Sequence, residues 1–432
     1  MGTLDDYAFR TFPAAVSDDG SAEPATAAWI AAERRGFHDT RASDDALALT
    51  ASNLVGDGRE LTAAYATAGD PSIPVATFAS YPGTLNVGAA DLLPVHLISN
   101  VTVRPTHRRN GLLRQMMTEN LGRASRAGFA VAALTVSEAT IYRRFGFGVA
   151  TTVAHSTVLT DGRFRMLTPP PGRSEFVEPA ELRALAPAVF ARFHAAHPGS
   201  VDRHTATWAR ISGGRTEKAE PDASLYAAAH FADDGTPDGY VSYRVTGATG
   251  DANGTDTDHV EIVDLVAADD GAYLGLWELL ASIDLTVGVR WAFAPADDPL
   301  RWAIADWRAV KQTGVEDWLW LRVLDVAAAF EARGYAPDVA GALTLAVTDD
   351  LGYASGTYRL EVLDARATVT RDDTAQPDLT LAAPELAALY LGGVDPRTLR
   401  AAARLTEHTP DAARRLAALL TPTAPVYGIT HF

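Results

Sequence analysis

Hydrophobic and polar positions along the first third of the chain predict strands that alternate with helices. The stretches PVATFASYPGTLNV and LLPVHLISNVTV alternate in polarity and are rich in β-branched residues, which is typical of strands. The period then changes, and apolar residues at helical spacing predict an amphipathic helix over residues 111–127 that ends at Gly128. A buried strand, AVAALTV, and a short helix over SEATIYRRFG follow. The fold class predicted for this part is α/β (α+β).

The same order of elements returns after a short proline-rich linker at residues 168–175. After one helix, the stretch ASLYAAAHFADDGTPDGYVSYRVTG predicts two strands around a polar hairpin turn. Strand, loop and helix then follow in HVEIVDLVAADDGAYLGLWELLASID. This order predicts a second, degenerate copy of the first domain. From about residue 322, strands separated by polar turns alternate with short helices and predict a third domain. The expected division is 1–165, 166–320 and 321–432.

Composition and charge narrow the classes of partner. The 432 residues are 47% hydrophobic and 21% charged, a globular composition, and the net charge of −17 argues against nucleic acid as a partner. No apolar run approaches the ~18 residues of a membrane span, and the first residues resemble neither a secretory signal nor a myristoylation motif. The chain has no cysteine, which excludes disulfides, thiolate catalysis and Cys-based zinc sites. We expect a cytoplasmic protein.

Three histidines lie close together in the sequence, at His194, His197 and His204. They lack the spacing of a helical metal-binding motif such as H-E-x-x-H. We interpret them as surface or capping residues, and we predict no metal site.

Against this acidic background, the stretch NVTVRPTHRRNGLLRQMM places a basic turn between a strand and a helix. The unpaired N–H groups and the dipole of a helix N-terminus favour an anion, and Arg108, Arg109 and Arg114 add charged donors. Gly111 allows the backbone to approach a ligand closely. A pyrophosphate fits this pattern, although neither a Walker A loop nor a Rossmann G-x-G-x-x-G is present. On charge and glycine alone, a solvated basic turn that caps the helix fits equally well.

The residues around the turn favour the first interpretation. The turn resembles the coenzyme A motif of the GNAT acetyltransferases, R/Q-x-x-G-x-G/A, as Arg108-x-x-Gly111-x-Leu113, and departs from it at the last position. It is more closely similar to the Eis family of actinobacterial acetyltransferases. The stretches that carry this resemblance span most of the chain: VTVRPTHRRNGLLR, SEATIYRRFGFGVAT, LWLRVLDVAAAFEARGYA and LYLGG.

The resemblance implies both an architecture and an activity. It implies tandem GNAT acetyltransferase folds followed by a sterol-carrier-protein-like α/β domain, in agreement with the three-part division. The implied activity is the transfer of an acetyl group from acetyl-CoA to primary amines of aminoglycosides, lysine side chains or polyamines by direct attack. The resemblance also implies a homo-oligomer, specifically a hexamer.

Individual site residues are implied in the same way. Tyr142 matches the general acid for the departing thiolate, and the C-terminal carboxylate of Phe432 is the implied general base. Phe37 and Asp39 lie where the family places acceptor-pocket residues, and His431 stands where some members carry an acidic residue. The residues implied in coenzyme binding are Val101, Thr102, Val103, Arg108, Arg109, Asn110, Gly111, Leu112, Leu113, Arg114, Ser137 and Glu138.

Two alternatives remain open at this point. One is an acyl-CoA-dependent peptide N-acyltransferase, since peptide N-myristoyltransferases also pair two GNAT folds with a C-terminal carboxylate base. The other is a non-enzymatic lipid-carrier or scaffold protein led by the third domain. A comparison of turnover with acetyl-CoA and with long-chain acyl-CoA distinguishes the first alternative from an acetyltransferase. The ligand that co-purifies with the protein, a lipid or coenzyme A, distinguishes the second.

Overall fold

The computed structural model describes residues 3–215, 220–247 and 258–432. The strands are β1 (Tyr7–Pro13), β2 (Glu60–Ala66), β3 (Ala76–Leu85), β4 (Leu93–Val103), β5 (Val131–Thr135), β6 (Gly148–Val149), β7 (Thr152–Leu159), β8 (Arg173–Val177), β9 (Tyr226–Phe231), β10 (Pro237–Thr246), β11 (His259–Ala267), β12 (Gly288–Ala294), β13 (Val310–Asp317), β14 (Leu319–Val323), β15 (Gly341–Thr348), β16 (Gly356–Leu363), β17 (Arg366–Arg371), β18 (Leu379–Ala382) and β19 (Leu405–Glu407). The α-helices are α1 (Pro24–Gly36), α2 (Asp44–Gly56), α3 (Leu112–Arg126), α4 (Leu182–Ala196), α5 (Thr205–Ile211), α6 (Asp270–Ala281), α7 (Leu300–Ala303), α8 (Val326–Ala332), α9 (Ala383–Leu389), α10 (Pro396–Ala401) and α11 (Ala412–Leu419).

The strands form three sheets, and the first two share one topology. Their orders are β1-β2-β3-β4-β5-β14-β6 and β8-β9-β10-β11-β12-β7-β13. Each contains a parallel pair, β4 with β5 and β11 with β12, within an otherwise antiparallel sheet. A helix connects the strands of each pair, α3 in the first sheet and α6 in the second. The second region is therefore a structural repeat of the first. The third sheet has the order β17-β16-β15-β18-β19.

The first two sheets exchange a strand. β7 follows the first sheet in the chain but pairs with β12 and β13 of the second. β14 follows the second sheet but lies between β5 and β6 of the first, and all five of its residues are buried. The divisions expected after residues 165 and 320 therefore do not coincide with the division into sheets.

Two local expectations need correction. The predicted linker at residues 168–175 is shorter, because Arg173 already begins the edge strand β8, which pairs with β9. The short helix expected over SEATIYRRFG is a single 3-10 turn at Arg143–Phe145. Gly146 ends this turn in the left-handed conformation at φ 85°, and the β-branched Ile141 just before it disfavours a longer helix.

The last residues of the chain leave the third domain and return to the first two. The N–H of Tyr427 donates to the carbonyl of Pro198, 2.8 Å away, and the hydroxyl of Thr430 donates to the carbonyl of Val201, 2.7 Å away. Phe432 is buried and enters the hydrophobic core shared by the first and third domains. Among the described residues, no helix combines the length and the apolar character needed to cross a bilayer.

Candidate active site between β4 and β5

The site begins with two parallel strands that separate. β4 pairs with β5 only through His96 with Ala132 and Leu97 with Ala133. Beyond these pairs β4 continues to Val103 along β3, while β5 ends at Thr135. A wedge therefore opens between the two strands, and its walls carry backbone groups that are not used in the β4–β5 ladder.

The turn at the end of β4 has the geometry of an anion-binding nest. Arg109 and Gly111 both adopt left-handed backbone conformations, at φ 66° and φ 84°. Helix α3 then begins at Leu112 with no side-chain cap, so the N–H groups of its first turn remain available to a ligand. The equivalent helix of the repeat, α6, is capped instead by Asp269, whose carboxylate accepts from the N–H of Ala272, 2.9 Å away. In the repeat, an acidic side chain therefore occupies the position that remains open to a ligand at the start of α3.

A cavity of about 790 Å³ extends over this turn and into the wedge. Of the residues predicted to bind coenzyme, those that line it are Val101, Thr102, Val103, Arg108, Arg109, Gly111, Leu112, Leu113, Arg114, Ser137 and Glu138. Asn110 does not line it: its side-chain amide donates to the Tyr7 hydroxyl, 2.9 Å away, and to the His107 carbonyl, 3.2 Å away. Asn110 therefore stabilises the turn through these hydrogen bonds and does not line the cavity. The cations and backbone donors around this cavity fit the phosphorylated end of a coenzyme, and the part of β4 that is not paired with β5 leaves backbone groups for its arm.

A second cavity of about 430 Å³ opens on the other side of the wedge. Phe37, Val101, Ser137 and Tyr142 line both cavities, so the two meet at these side chains. Asp39, His431 and Phe432 line the second cavity alone. The structure therefore brings the expected acceptor-side residues together at one end of the expected coenzyme channel.

Thr135, the last residue of β5, holds the end of the chain in the wedge. Its hydroxyl donates to an oxygen of the Phe432 carboxylate, 2.9 Å away. The Phe432 ring packs edge-on against Tyr81, with 6.3 Å between ring centroids. The preceding His431 lies against Trp318, at 5.6 Å between centroids. These contacts fix Phe432 and His431, and both residues line the second cavity.

Tyr142 stands where the two cavities meet and is itself 7% exposed. Its ring packs edge-on against Phe147, with 6.2 Å between centroids. Burial raises the pKa of the Tyr142 hydroxyl to about 12, and the negative charge of Glu138 adds to the shift. The phenol is therefore protonated throughout the neutral pH range.

The second cavity also contains polar residues that the sequence analysis did not assign to the site: Glu33, Arg59, Asn100 and His204. Burial raises the pKa of Glu33 above its ordinary value, and the charge of Asp39 adds to this, while the hydrogen bond from Asn100 opposes it. Burial lowers the pKa of His204 to about 3, with a further contribution from the Arg59 cation. The sequence contained one indication of these residues, because Asn100 is a polar residue within a strand of β-branched and apolar neighbours.

The histidine interpretation needs correction in part. His204 does precede a helix, at the N-terminal end of α5, but it also lines the second cavity. His194 is a buried residue, because its ring nitrogens face the hydroxyls of Thr84 and Ser200, 2.9 and 3.0 Å away. His197 is half-buried and stacks on Phe193 at 4.1 Å. In the described part of the chain, no group of three or more His, Cys, Asp or Glu side chains is arranged to hold a metal ion.

Comparison with known families agrees with the two-fold repeat and the third domain. Models described as "Acetyltransferase (GNAT) domain" match residues 25–150 and 199–323, and one described as "Sterol carrier protein domain" matches residues 326–428. The second GNAT copy and the sterol-carrier-protein-like domain predicted from the sequence are thereby confirmed.

Whole-chain relatives point the same way. An uncharacterized N-acetyltransferase of Streptomyces avermitilis is 37% identical over 92% of this chain and 94% of its own length. The N-acetyltransferase Eis of Mycobacterium tuberculosis is 35% identical over 81% of this chain and 83% of its own length. The crystal structure of Eis1 from Mycobacterium abscessus superposes with a TM-score of 0.79 at 27% identity, covering 98% of this chain and all of that one.

These relatives, the paired GNAT domains and the basic turn at the head of α3 identify an acetyl-transferring enzyme, which disfavours the lipid-carrier or scaffold alternative. The chain belongs to the Eis family of acetyl-CoA-dependent N-acetyltransferases.

Proposed function

We propose that this enzyme moves the acetyl group of acetyl-CoA to a primary amine by direct attack, with Tyr142 as general acid and the Phe432 carboxylate as general base. The observation that carries the proposal is the junction of the two cavities. One is lined by the turn between β4 and α3, the other contains the end of the chain, and Tyr142 borders both. Two substrates that enter from opposite sides would meet there.

The residues around the turn between β4 and α3 would bind the coenzyme without taking part in the chemical step. The guanidinium groups of Arg108, Arg109 and Arg114 and the free N–H groups of α3 would hold the phosphates. Val101 and Val103 lie on the part of β4 that is not paired with β5, where their backbone groups can bond to the amides of the pantetheine arm. Ser137 and Glu138 border the same channel from the end of β5.

The terminal carboxylate accounts for the proton lost by the amine. The amine must be neutral to attack the thioester carbon, and one of its protons leaves as the C–N bond forms. The Phe432 carboxylate, held by Thr135, would accept that proton. Because the chain end is fixed by buried contacts on both sides, the base is held in place before substrate arrives.

Tyr142 accounts for the thiolate that departs as the C–S bond breaks. With its pKa raised to about 12, the phenol is always protonated near pH 7 and can donate a hydrogen bond to the sulfur. The same shift weakens Tyr142 as an acid, so hydrogen bonding to the developing charge contributes more than early proton transfer. Complete transfer then yields free coenzyme A.

The acceptor that we propose is a cationic amine, in the class of aminoglycosides, polyamines or lysine side chains. Carboxylates of Glu33, Asp39 and the chain end line the acceptor cavity. Negative groups attract polycationic substrates to this end of the channel. A peptide N-acyltransferase that uses long-chain acyl-CoA is the second candidate.

The test compares acyl donors and acceptors on the purified enzyme. We expect turnover of acetyl-CoA with tobramycin, spermidine or a lysine-containing peptide, and little turnover of myristoyl-CoA with any acceptor. Preferred use of the long-chain donor would favour the peptide N-acyltransferase. Release of coenzyme A without an acetylated amine would contradict the proposed reaction.

We also propose that the enzyme is a cytoplasmic homo-oligomer, a hexamer by family resemblance. Two tryptophans of the second domain, Trp302 and Trp307, are 78% and 48% exposed and pack edge-on, and the Arg301 guanidinium lies 4.8 Å above the Trp307 ring. Exposed aromatic residues beside an arginine are typical of contact surfaces between proteins. Light scattering at micromolar concentration tests the state, and Trp302→Ser should shift it toward smaller species.

A further inference from the structure

A chain of four polar side chains leads from the second domain into the acceptor cavity. Asp57 accepts from the N–H of Thr205, 2.7 Å away, and pairs with the Nε of Arg59 at 3.0 Å. Arg59 Nη1 donates to Asn100 Oδ1 at 2.8 Å, and Asn100 Nδ2 donates to Glu33 Oε1 at 2.8 Å. We call Asp57, Arg59, Asn100 and Glu33 the polar chain.

The polar chain fixes the direction of every hydrogen bond in it. Arg59 can only donate, so the amide oxygen of Asn100 must face it and the amide nitrogen must face Glu33. Asn100 holds this position because its backbone is left-handed, at φ 52°, beside a register irregularity between β3 and β4. Glu33 therefore has one oxygen engaged, and its Oε2 has no hydrogen-bond partner among the described residues.

The charges around the acceptor cavity do not balance. Arg59 is positive, but its charge is neutralised by Asp57, and both side chains are nearly buried. His204 and His431 have pKa values lowered by burial, so both are neutral at pH 7. The remaining charged groups that line the cavity, Glu33, Asp39 and the carboxylate of Phe432, are all acidic. The cations nearest to Glu33 already have partners, because Arg34 donates to the Thr40 carbonyl and Arg59 pairs with Asp57. An acceptor with a single amine at the chain end would therefore leave Glu33 without a cation of its own.

We propose that Glu33 is a specificity-determining residue that binds a second, non-reacting ammonium group of the acceptor. The preferred substrates are then diamines or polyamines, and monoamines of equal length are poorer acceptors. This inference rests on the proposed function, because it assigns the reacting amine to the Phe432 end of the same cavity. The free Oε2 of Glu33 supplies a charge-assisted hydrogen bond, and Asn100 holds the carboxylate in place for it.

Hexamethylenediamine and hexylamine test the proposal, since they share a carbon chain and differ by one amine. Glu33→Gln keeps an oxygen for the hydrogen bond from Asn100 and removes only the charge. We expect the KM for hexamethylenediamine to rise roughly 10- to 100-fold and the KM for hexylamine to stay nearly unchanged. Glu278→Gln, which removes an exposed carboxylate on α6, is the matched control and should alter neither value. Thermal melting checks that the variants fold.

Equal changes for the two amines, or none, would overturn the proposal and leave Glu33 with a purely structural role in holding Asn100. Calorimetric titration of hexamethylenediamine into enzyme saturated with coenzyme A gives a readout without turnover. If the wild type acetylates neither amine, the proposed reaction fails for these acceptors. Weaker diamine binding by Glu33→Gln would then still support the Glu33 site, and equal binding would overturn it.

Discussion

At the scale of single residues, the site depends on burial to set protonation states. Tyr142 and Glu33 both have raised pKa values because protein rather than water surrounds them, but the consequences are opposite. The tyrosine is kept in its hydrogen-bond-donating form at neutral pH. The glutamate is brought closer to the neutral range, so its charge becomes sensitive to mild acid.

Tyr142→Phe should lower kcat by roughly 10²-fold or more and leave the KM for acetyl-CoA nearly unchanged, because it removes only the hydroxyl that we propose donates to the sulfur. The ring contact with Phe147 survives the change. Steady-state kinetics with a saturating amine measures both constants. Tyr226→Phe, at an exposed tyrosine of the second domain, is the control. A kcat close to that of the wild type would remove Tyr142 from the mechanism.

The preference for diamines should weaken as the pH falls. The raised pKa of Glu33 means that the carboxylate takes up a proton at a higher pH than an exposed glutamate would, and the neutral form no longer attracts an ammonium group. Asp39 and Phe432 line the same cavity, and their carboxylates would also attract a cationic acceptor. The measurement is therefore the ratio of diamine KM between Glu33→Gln and wild type, which should approach one on acidification. A ratio independent of pH would contradict the assignment.

At the scale of elements, the unit of β4, basic turn and α3 could be predicted from the sequence. The hydrophobic period changes from two to 3.6 at Gly111, and the basic residues occupy the turn itself. Helix α3 begins at Leu112 and ends at Arg126, close to the expected bounds. The strand exchange could not be predicted. β7 and β14 look like ordinary strands locally, and their pairing partners lie far away in the sequence, so no local pattern records which sheet they join.

The residues of the acceptor cavity were also difficult to predict from local sequence patterns. Phe37, Asp39 and the chain end could be named only through family resemblance. Glu33 and Arg59 carried no motif, because the hydrogen bonds that unite them through Asn100 join α1 with the residue before β2 and with the irregular part of β4. Three separate elements must fold before this arrangement exists.

Removing the charges of the turn should weaken coenzyme binding alone. For Arg109→Ala combined with Arg114→Ala we expect the KM for acetyl-CoA to rise by the equivalent of roughly 1 to 3 kcal/mol, with kcat at saturation largely retained. Arg126→Ala changes the same helix at its other end and should have no effect. The rise in KM should resemble the rise seen for the wild type at high salt, because salt screens the attraction between these arginines and the phosphates. An unchanged KM in the double variant would contradict the assignment of this turn as the phosphate-binding site.

At the scale of the whole molecule, buried contacts join the domains. His194 of the second domain faces Thr84 of the first sheet, and burial lowers its pKa to about 4. Between pH 4 and 6.5 the unfolded chain binds a proton at this position and the folded protein does not. Stability therefore falls as the pH drops through this window.

The free energy of unfolding should decrease by up to about 3 kcal/mol from this residue as the pH falls from 6.5 to 4. Denaturant titrations at several pH values measure the slope. His194→Gln keeps polar atoms near Thr84 and Ser200 and should flatten the curve in this window. The same slope in wild type and variant would show that another group controls the acid sensitivity.

The central claim is that the end of the chain is part of the catalytic machinery, and the most direct test moves it. Two glycines added after Phe432 should lower kcat by roughly 10²- to 10⁴-fold, because the carboxylate leaves its position beside Thr135. The KM for acetyl-CoA should hold, because the basic turn is unaltered. The same two glycines at the N-terminus serve as the matched control, and circular dichroism confirms folding. Equal kcat for the two extended enzymes would contradict the terminal carboxylate as the base.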